Sequence, residues 1–525
     1  MSERLGRVIA VAGSQMTVGL EGDAAGDAAT RIGAMVKVRC GDLDAVGTVG
    51  GLQPDNSGSE PHGALLVDLL GEISYSADGE ARFYRGVSHH PVGNAPVLTA
   101  SETDLRVIYA PPSVSNVSIG SLYHDPGRPA YVLINELLAK NFAILGTTGS
   151  GKSCATTLIL SAILADHPNA HIVVLDPHNE YWAAFGDLAE IVNVDNLHLP
   201  FWLLDFEEAV GVLVRGGTVQ EQEAQANILR EAIIRARRRS SDASWITVDT
   251  PVPFAVPELI RLIDEGMGKL DKPDSSIPYL RLRTRLEALM HNPRFEFMFT
   301  DRQVIRDTLS QIIGRLLRIP VNGKPLTVLD LSGIPSEIAD AVVSLCCRLT
   351  FDFILWSEPA KRPPVLLVCE EAHRYVPAAP ETGFAAAGRA VTRLAREGRK
   401  YGISLALITQ LPSELSGQAL SQCGTVFALR LGHYLDHRFM ETALPDAARG
   451  MLESLPSLRT QEAIVFGEGV PLPMHLRFAD LPAEGRPRSN SAEFSKAWQA
   501  NAPGIDFINE GIRRWRLQSR APGKS

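Results

Sequence analysis

The segment Gly146-Thr147-Thr148-Gly149-Ser150-Gly151-Lys152-Ser153 decides the fold. It fits the pattern G-x-x-x-x-G-K-[ST], with an apolar strand candidate at 141–145 before it and an apolar helical stretch after it. Glycines let backbone N–H groups curl around a phosphate group, and the helix N-terminus adds the positive end of its dipole. Lys152 would reach the β- and γ-phosphates, and the Ser153 hydroxyl would hold Mg²⁺. The segment therefore predicts a nucleoside-triphosphate site, and Cys154 directly after it is included among the binding residues.

The chain around this loop alternates between apolar strand candidates and helical stretches. This alternation is typical of an α/β fold with a mostly parallel sheet that is covered on both faces. Between about 205 and 320 the strand patterns disappear and helix formers dominate, which predicts an all-helical insertion at 205–320. The phosphate-loop core is thereby divided into two parts, 116–204 and 321–480. The strand candidates are His171–Asp176, Leu326–Leu331, Val365–Glu370, Ile403–Thr409, Thr425–Leu431 and Ala463–Phe466.

The two ends of the chain have a different character. Short strand patterns separated by glycine-rich turns predict a small β-barrel over residues 1–115. This segment carries 8 lysines and arginines against 14 aspartates and glutamates. Because it is acidic, we expect it to dock a subunit or partner, with a local patch for nucleic acid as the alternative. Residues 481–525 form a tail rich in proline, serine and arginine that is expected to be flexible or to clasp a neighbouring subunit.

The composition excludes several classes of protein. The 525 residues are 45% hydrophobic and carry a formal charge of −9, which excludes a largely disordered chain and a globally basic nucleic-acid coat. The 6 cysteines lack the spacing of metal ligands or of a disulfide framework, which predicts reduced thiols. No apolar run has membrane-spanning length and the first residues do not resemble a signal peptide. We therefore expect a cytoplasmic protein without a membrane partner.

Two acidic strand ends are candidates for the metal and for catalysis. The apolar run Val365–Cys369 leads into Glu370-Glu371-Ala372-His373, the form of a Walker B motif. Glu370 would join the magnesium shell and Glu371 would polarise the attacking water, whereas the plain alternative is an exposed acidic strand end. Asp176 ends another buried strand, and ligand groups gather at such ends in an open α/β sheet. Asp176 and the nearby Glu180 are either further metal-site acids or caps of the turn that follows.

Polar and basic residues farther along could complete an NTPase. Gln410 follows the strand Ile403–Thr409 and either senses the γ-phosphate or is merely solvated. Arg393, Arg396 and Arg399 have the i, i+3 spacing that places side chains on one helical face, although Gly398 could end the helix early and release Arg399. They form either a solvated charged face or an arginine finger for the nucleotide of an adjacent subunit.

Together these motifs resemble the HerA family, the hexameric DNA-pumping ATPases of the FtsK–HerA group, whose N-terminal barrel is called the HAS domain. The resemblance rests on the barrel and on four segments: 146–153, Asp176–Tyr181, Glu370–His373 and Arg396–Gly402. It implies a homo-hexameric ring that hydrolyses ATP with Mg²⁺ between subunits and threads double-stranded DNA through its centre. Carried over by position, it implies the following roles: Lys152 and Ser153 as the residues that bind phosphate and magnesium, Glu371 as the catalytic acid, Gln410 as the sensor, Arg396 or Arg399 as the trans arginine, and Lys140 as a further nucleotide contact.

The resemblance leaves two main functions open, beside a secretion or conjugation ATPase of the same broad fold, which is disfavoured because the anchored kind needs membrane helices. The first is an ATP-driven DNA translocase or helicase that works with a NurA-type nuclease in DNA end processing. The second is the ATPase of an antiviral defence complex that scaffolds and regulates a nuclease or an NAD-consuming effector. Loop residues Arg374, Arg389 and Gln418 are candidates for DNA contacts. The basic cluster 235–239 could line a channel or form a solvated helix end.

Overall fold

The computed structural model describes residues 2–21, 30–54, 63–76, 78, 80–240, 243–268, 276–299, 306–378, 385–443, 449–488, 495, 498–499 and 504–517. The chain divides into two compact units. The first comprises Met1–Ile172, Glu358–Thr382 and Thr392–Arg486, and the second comprises Val173–Ser357, Gly383–Val391 and Pro487–Ser525.

The first unit begins with a closed six-stranded barrel. Its strands follow the order β2-β1-β7-β3-β4-β5, β5 pairs back with β2, and β6 extends from β5. Alternate residues of β2 and β3 face inward, so that valines and leucines such as Val18, Val36 and Leu65 fill the interior. The bounds are Arg4–Ala12 (β1), Gln15–Leu20 (β2), Met35–Cys40 (β3), Leu43–Pro54 (β4), Gly63–Tyr75 (β5), Ala81–Arg85 (β6) and Pro96–Thr99 (β7), followed by helix α1 at Glu102–Ile108.

The first unit also holds the sheet that carries the phosphate loop. The strand order is β14-β15-β10-β16-β17-β18-β8-β9, in which β14, β15, β10 and β16 are parallel and the last four strands are antiparallel. Every residue of β10, β14 and β15 is buried, as expected for strands covered on both faces. The strands are Asn116–Leu122 (β8), Pro129–Leu133 (β9), Asn141–Leu145 (β10), Val365–Cys369 (β14), Ile403–Thr409 (β15), Cys423–Ala428 (β16), Glu462–Gly467 (β17) and Met474–Phe478 (β18). The helices are Ile134–Ala139 (α2), Lys152–Asp166 (α3), Gly417–Leu420 (α11), Tyr434–Ala443 (α12) and Arg449–Leu452 (α13).

The second unit combines three strands with a group of helices. The strand order is β12-β13-β11, with β12 and β13 parallel. Among the described residues between 206 and 317 the regular elements are helical, in agreement with the predicted insertion. The strands are Ile172–Asp176 (β11), Ala189–Val192 (β12) and Leu326–Asp330 (β13). The helices are Phe206–Leu213 (α4), Val219–Ser240 (α5), Val256–Met267 (α6), Ile277–Met290 (α7), Leu309–Leu317 (α8), Ser336–Trp356 (α9) and Ile505–Leu517 (α14), and α10 at Ala385–Glu397 has residues in both units.

The basic cluster 235–239 at the end of α5 is neither an open channel lining nor a plain solvated helix end. Arg237 is 1% exposed, and its guanidinium donates to the carbonyl oxygens of Val248, Trp202 and Leu204, the last two at 3.1 and 3.0 Å. Burial lowers the pKa of Arg237 to about 10. A guanidinium has five N–H donors, so it can enter the interior when backbone carbonyls receive them. Both interpretations of the cluster were therefore wrong for its central residue.

The predicted fold class is confirmed, with details that the strand patterns did not reveal. A barrel precedes an α/β phosphate-loop core that carries helical insertions, as expected. The strand predicted at Thr425–Leu431 runs instead from Cys423 to Ala428. The antiparallel strands β8, β9 and β18 were not predicted. Of the helices in the described part of the chain, none combines the length and the apolar character needed to cross a membrane.

Candidate active site

The phosphate loop is fixed between two strands of the first unit. The Gly146 N–H donates to the Thr409 carbonyl on β15 at 3.2 Å. The Thr147 N–H and hydroxyl both donate to the Arg430 carbonyl beyond the end of β16, at 2.9 and 3.1 Å. Because β15 and β16 flank β10 on opposite sides, the loop is held from both sides where its strand ends.

The glycines of the loop meet steric requirements that fit a phosphate cradle. A Cβ on Gly146 would lie 2.6 Å from Ser150 Oγ and 2.8 Å from Leu429 Cβ, which is too close for any side chain. Gly149 and Gly151 have φ of +75° and +105°, in the left-handed region that favours glycine. Ser150 is fully buried, and its Oγ has no hydrogen-bond partner among the described residues. These features fit a loop that closes around a phosphate group.

Lys152 and Ser153 begin helix α3 directly after the loop. Lys152 is largely buried, and its Nζ donates to the Thr147 carbonyl at 3.3 Å, so the ammonium group lies over the cradle. The helix N-terminus adds its dipole at the same place. Cys154 is exposed in the first turn of α3. The donors needed for phosphate oxygens are thus gathered within a few residues.

The two acids of the Walker B segment lie at the carboxyl end of β14. Glu370 and Glu371 are 2% and 6% exposed, so the alternative of an exposed acidic strand end is wrong. Glu371 has φ of +53°, an uncommon left-handed conformation for a glutamate. Its Oε2 lies 3.3 Å from Nδ1 of His373. Burial lowers the pKa of His373, while the Glu371 carboxylate acts in the opposite direction.

Gln410 contacts the phosphate loop directly. Its Oε1 accepts a hydrogen bond from the Thr148 hydroxyl. Gln410 directly follows β15, and β15 lies between β10 and β14. Gln410 therefore contacts the loop and is not merely solvated, and its role as the sensor stays a prediction.

Asp176, in the second unit, closes the turn after β11. It is fully buried, and its carboxylate accepts from the N–H groups of Tyr181 at 2.9 Å and His178 at 3.3 Å. Burial raises its pKa to about 6, and the nearby carboxylate of Asp330 acts in the same direction. These bonds support the capping interpretation; a metal role for Asp176 stays a prediction.

The arginine block separates into paired and unpaired cations. Helix α10 ends at Glu397, and a 3₁₀ turn at Gly398–Tyr401 follows, so Arg399 leaves the helical face, as the position of Gly398 suggested. Arg393 lies 3.8 Å from the Glu397 carboxylate. Arg396 and Arg399 are exposed, and neither forms an ion pair within the described part of the chain. This state fits side chains that serve a site outside their own subunit.

The other predicted contacts are distributed around the fold. Lys140 precedes β10, at the opposite end of that strand from the phosphate loop, and it forms an ion pair with Glu468. A contact between Lys140 and a nucleotide would therefore have to involve another subunit, and it stays a prediction. Of the DNA candidates, Arg374 and Gln418 are exposed, whereas Arg389 pairs with Glu207 at 2.9 Å.

Sequence reasoning missed Thr409, and it quoted His373 without giving it a role. The two side chains meet at 2.9 Å between Nδ1 and Oγ1. One signal could have found Thr409, because it is a hydroxyl residue that ends an otherwise apolar strand next to a sensor candidate. The contact itself depends on the pairing of β14 with β15, which no local pattern reveals.

Comparisons with known proteins concern the family and the fold of this chain. Residues 117–350 match the family model described as the central domain of helicase HerA. Over this segment the chain is similar to HerA helicases, and it is a P-loop ATPase. The predicted resemblance, fold class and enzyme class are thereby confirmed.

Two curated relatives and one solved structure are similar to this chain over a larger part of its length. The DNA double-strand break repair helicase HerA of Pyrococcus furiosus is 25% identical over 416 residues, covering 73% of this chain and 72% of the relative. The protein of the same name from Saccharolobus solfataricus is 28% identical over 393 residues, covering 73% and 72%. VirB4 of Thermoanaerobacter pseudethanolicus is 16% identical with a TM-score of 0.50, covering 70% of this chain and 98% of VirB4. This last likeness concerns the fold alone.

Proposed function

We propose that this HerA-like chain is a ring-forming, ATP-driven translocase or helicase on double-stranded DNA that acts with a partner nuclease in DNA end processing. One observation carries the proposal: the phosphate loop, the sensor Gln410 and the acid Glu371 converge at adjacent strand ends of one unit. The curated relatives are DNA double-strand break repair helicases, which supports DNA as the substrate.

The residues of the site divide the work of hydrolysis. The loop N–H groups and Lys152 hold the β- and γ-phosphates, since they are the donors gathered at the cradle. Mg²⁺, when bound, would neutralise phosphate charge, and Ser153 and Glu370 would hold it. The buried carboxylate of Glu371 accepts the proton of the attacking water, and Gln410 orients that water or reads the γ-phosphate. ATP and Mg²⁺ are therefore the proposed ligands.

The ring is part of the proposal because two exposed arginines could serve the site of a neighbouring subunit. Arg396 and Arg399 project from the protein without an ion pair in the described residues. An arginine supplied by a neighbouring subunit stabilises the transition state of phosphoryl transfer. A homo-hexamer would place such an arginine at each site.

The test is ATP hydrolysis by the purified protein with and without linear double-stranded DNA. Lys152→Ala is the control, because it removes the phosphate-binding cation from the loop. We expect DNA to raise turnover and the control to be inactive. Turnover that is indifferent to DNA would contradict an autonomous motor and favour an ATPase regulated by a partner protein, as in the defence interpretation.

Glu371→Gln separates binding from chemistry. The amide keeps the size of the side chain but cannot accept a proton, so we expect turnover to fall by about 10³-fold while labelled ATP still binds. Glu371→Asp is the matched variant, since it keeps the charge at a shorter reach. Wild-type turnover in Glu371→Gln would show that another residue is the catalytic acid.

A further inference from the structure

We infer that His373 is a positioning residue: a hydrogen bond to Thr409 anchors its ring, and the ring holds the carboxylate of Glu371 through a close polar contact. The inference rests on the proposed function, since it concerns the acid of the hydrolysis step. His373 would not touch ATP or the attacking water. It would fix the direction of the group that does.

The contact geometry connects the three side chains. His373 Nδ1 lies 2.9 Å from Thr409 Oγ1 and 3.3 Å from Glu371 Oε2. With a proton on Nδ1, the ring donates to Thr409 Oγ1, and the same polar edge of the ring lies at contact distance from Glu371 Oε2. The side chains of His373 and Glu371 are 13% and 8% exposed, so little water competes for these contacts.

Thr409 is a rigid anchor because two backbone N–H groups donate to it. It is fully buried at the end of β15, and its Oγ1 accepts from the Leu411 N–H at 3.1 Å. Its carbonyl accepts from the Gly146 N–H of the phosphate loop at 3.2 Å. The next residue, Gln410, accepts from Thr148 of the same loop. His373 thus connects the acid to the strand that carries both the sensor and the loop contact.

The backbone conformation at Glu371 explains why its side chain needs a positioning contact. Glu371 has φ of +53°, and a 3₁₀ turn at Ala372–Arg374 follows, closed by the Arg374 N–H donating to the Glu371 carbonyl at 2.9 Å. The turn brings His373 back beside the acid that lies two residues earlier. A glutamate side chain has several rotamers, and fixing one costs entropy that neighbouring contacts must offset.

The expected consequence concerns turnover rather than binding. A general base acts only within hydrogen-bond reach of the proton that it accepts, and a displacement of about 1 Å can cost about 100-fold in rate. Lys152 and the loop, which bind the phosphates, do not depend on His373. Loss of His373 should therefore lower kcat and leave the KM for ATP nearly unchanged.

The decisive experiment compares His373→Asn with His373→Gln. The Asn side-chain amide nitrogen occupies the place of Nδ1, whereas that of Gln occupies the place of Nε2, and the two contacts involve Nδ1 only. We expect His373→Ala and His373→Gln to lower kcat by about 30-fold with KM within about threefold, and His373→Asn to remain within about threefold of wild type. Equal turnover of wild type and His373→Ala, or retention by Gln but not by Asn, would overturn the inference.

The anchor supplies a second test. Thr409→Val keeps the shape of the side chain but removes the hydroxyl, whereas Thr409→Ser keeps it. We expect Thr409→Val to reproduce the kcat loss of His373→Ala, Thr409→Ser to be mild, and the double variant His373→Ala with Thr409→Val to be no worse than either alone. Losses of kcat that multiply in the double variant would mean that His373 and Thr409 act independently, which contradicts the inference.

A readout without nucleotide distinguishes positioning from general destabilisation. In the ATP-free protein, hydrogen exchange of the Arg374 amide should rise in His373→Ala and stay low in His373→Asn, with melting temperatures unchanged. A uniform rise across the first unit would overturn the inference in favour of a structural role. DNA-independent turnover would contradict the translocase proposal, yet the pattern among these variants would still decide the role of His373.

Discussion

Two arginine-rich segments look alike in the sequence but differ in burial and in ion pairs in the structure. Arg235–Arg239 ends α5, and Arg393–Arg399 spans the end of α10. In the first segment Arg237 is buried on three carbonyls, while Arg235 and Arg239 pair with carboxylates of α6. In the second, Arg396 and Arg399 are exposed without an ion pair in the described residues. The hydrogen-bond and ion-pair partners of a basic segment, and not its charge, therefore indicate whether it is structural or functional.

The largest effect on activity is expected from substitution of Arg396 or Arg399, the exposed arginines of the second segment. We expect either Arg396→Ala or Arg399→Ala to lower ATP turnover by about 10³-fold, because one of them would stabilise transition-state charge in trans. Melting temperature should be unchanged, since neither holds an ion pair that folding would lose. Arg393→Ala, which removes a cation already paired with Glu397, is the control. Wild-type turnover in both variants would contradict a functional role for this second segment.

The buried arginine should instead affect stability. In Arg237→Met three carbonyls lose their donor, and we expect the free energy of unfolding to fall by about 3 kcal/mol, measured by chemical denaturation. Turnover per folded molecule should be unchanged. The neighbouring Arg238→Met is the control, because Arg238 is exposed. Equal stability of the two variants would show that the burial of Arg237 contributes nothing.

The surface pairs of α5 should matter least among these arginines. Arg235 contacts Glu265 at 2.9 Å, and Arg239 contacts Glu258, both partly exposed. Since exposed ion pairs contribute little and are screened by salt, Arg235→Gln should lower the free energy of unfolding by at most about 1 kcal/mol, and less in 0.5 M salt. An effect that grows with salt would point to a contact other than the ion pair.

Burial also changes the protonation of His475 on β18. It stacks on Tyr123 with ring centroids 4.0 Å apart, near Glu462 and His124, and burial lowers its pKa to about 4. The unfolded chain therefore binds the proton more readily, so stability is complete above pH 6.5 and falls as the pH approaches 4. We expect the melting temperature of His475→Gln to fall less than that of wild type between pH 7.5 and 5, by on the order of 2 °C. Parallel pH profiles would contradict this.

The sequence predicts local features of this molecule well. The phosphate loop, the buried strands around it and the acid pair follow from contiguous residues, so Lys152, Glu371 and Gln410 could be chosen in advance. The burial of Arg237 depends on carbonyls of 202, 204 and 248, which come from other segments. The contact of His373 with Thr409 depends on strand pairing across 36 residues of chain. Such features are set by tertiary packing, which no short pattern encodes.

The most direct test of the central claim is movement along duplex DNA. The measurement is displacement of a third strand from a triplex by the purified protein, with wild type, Glu371→Gln and Lys152→Ala compared in ATP. We expect displacement by wild type that requires ATP and is absent in both variants. DNA-stimulated ATP turnover without any displacement by wild type would contradict the proposed translocase, because hydrolysis would then not be coupled to movement.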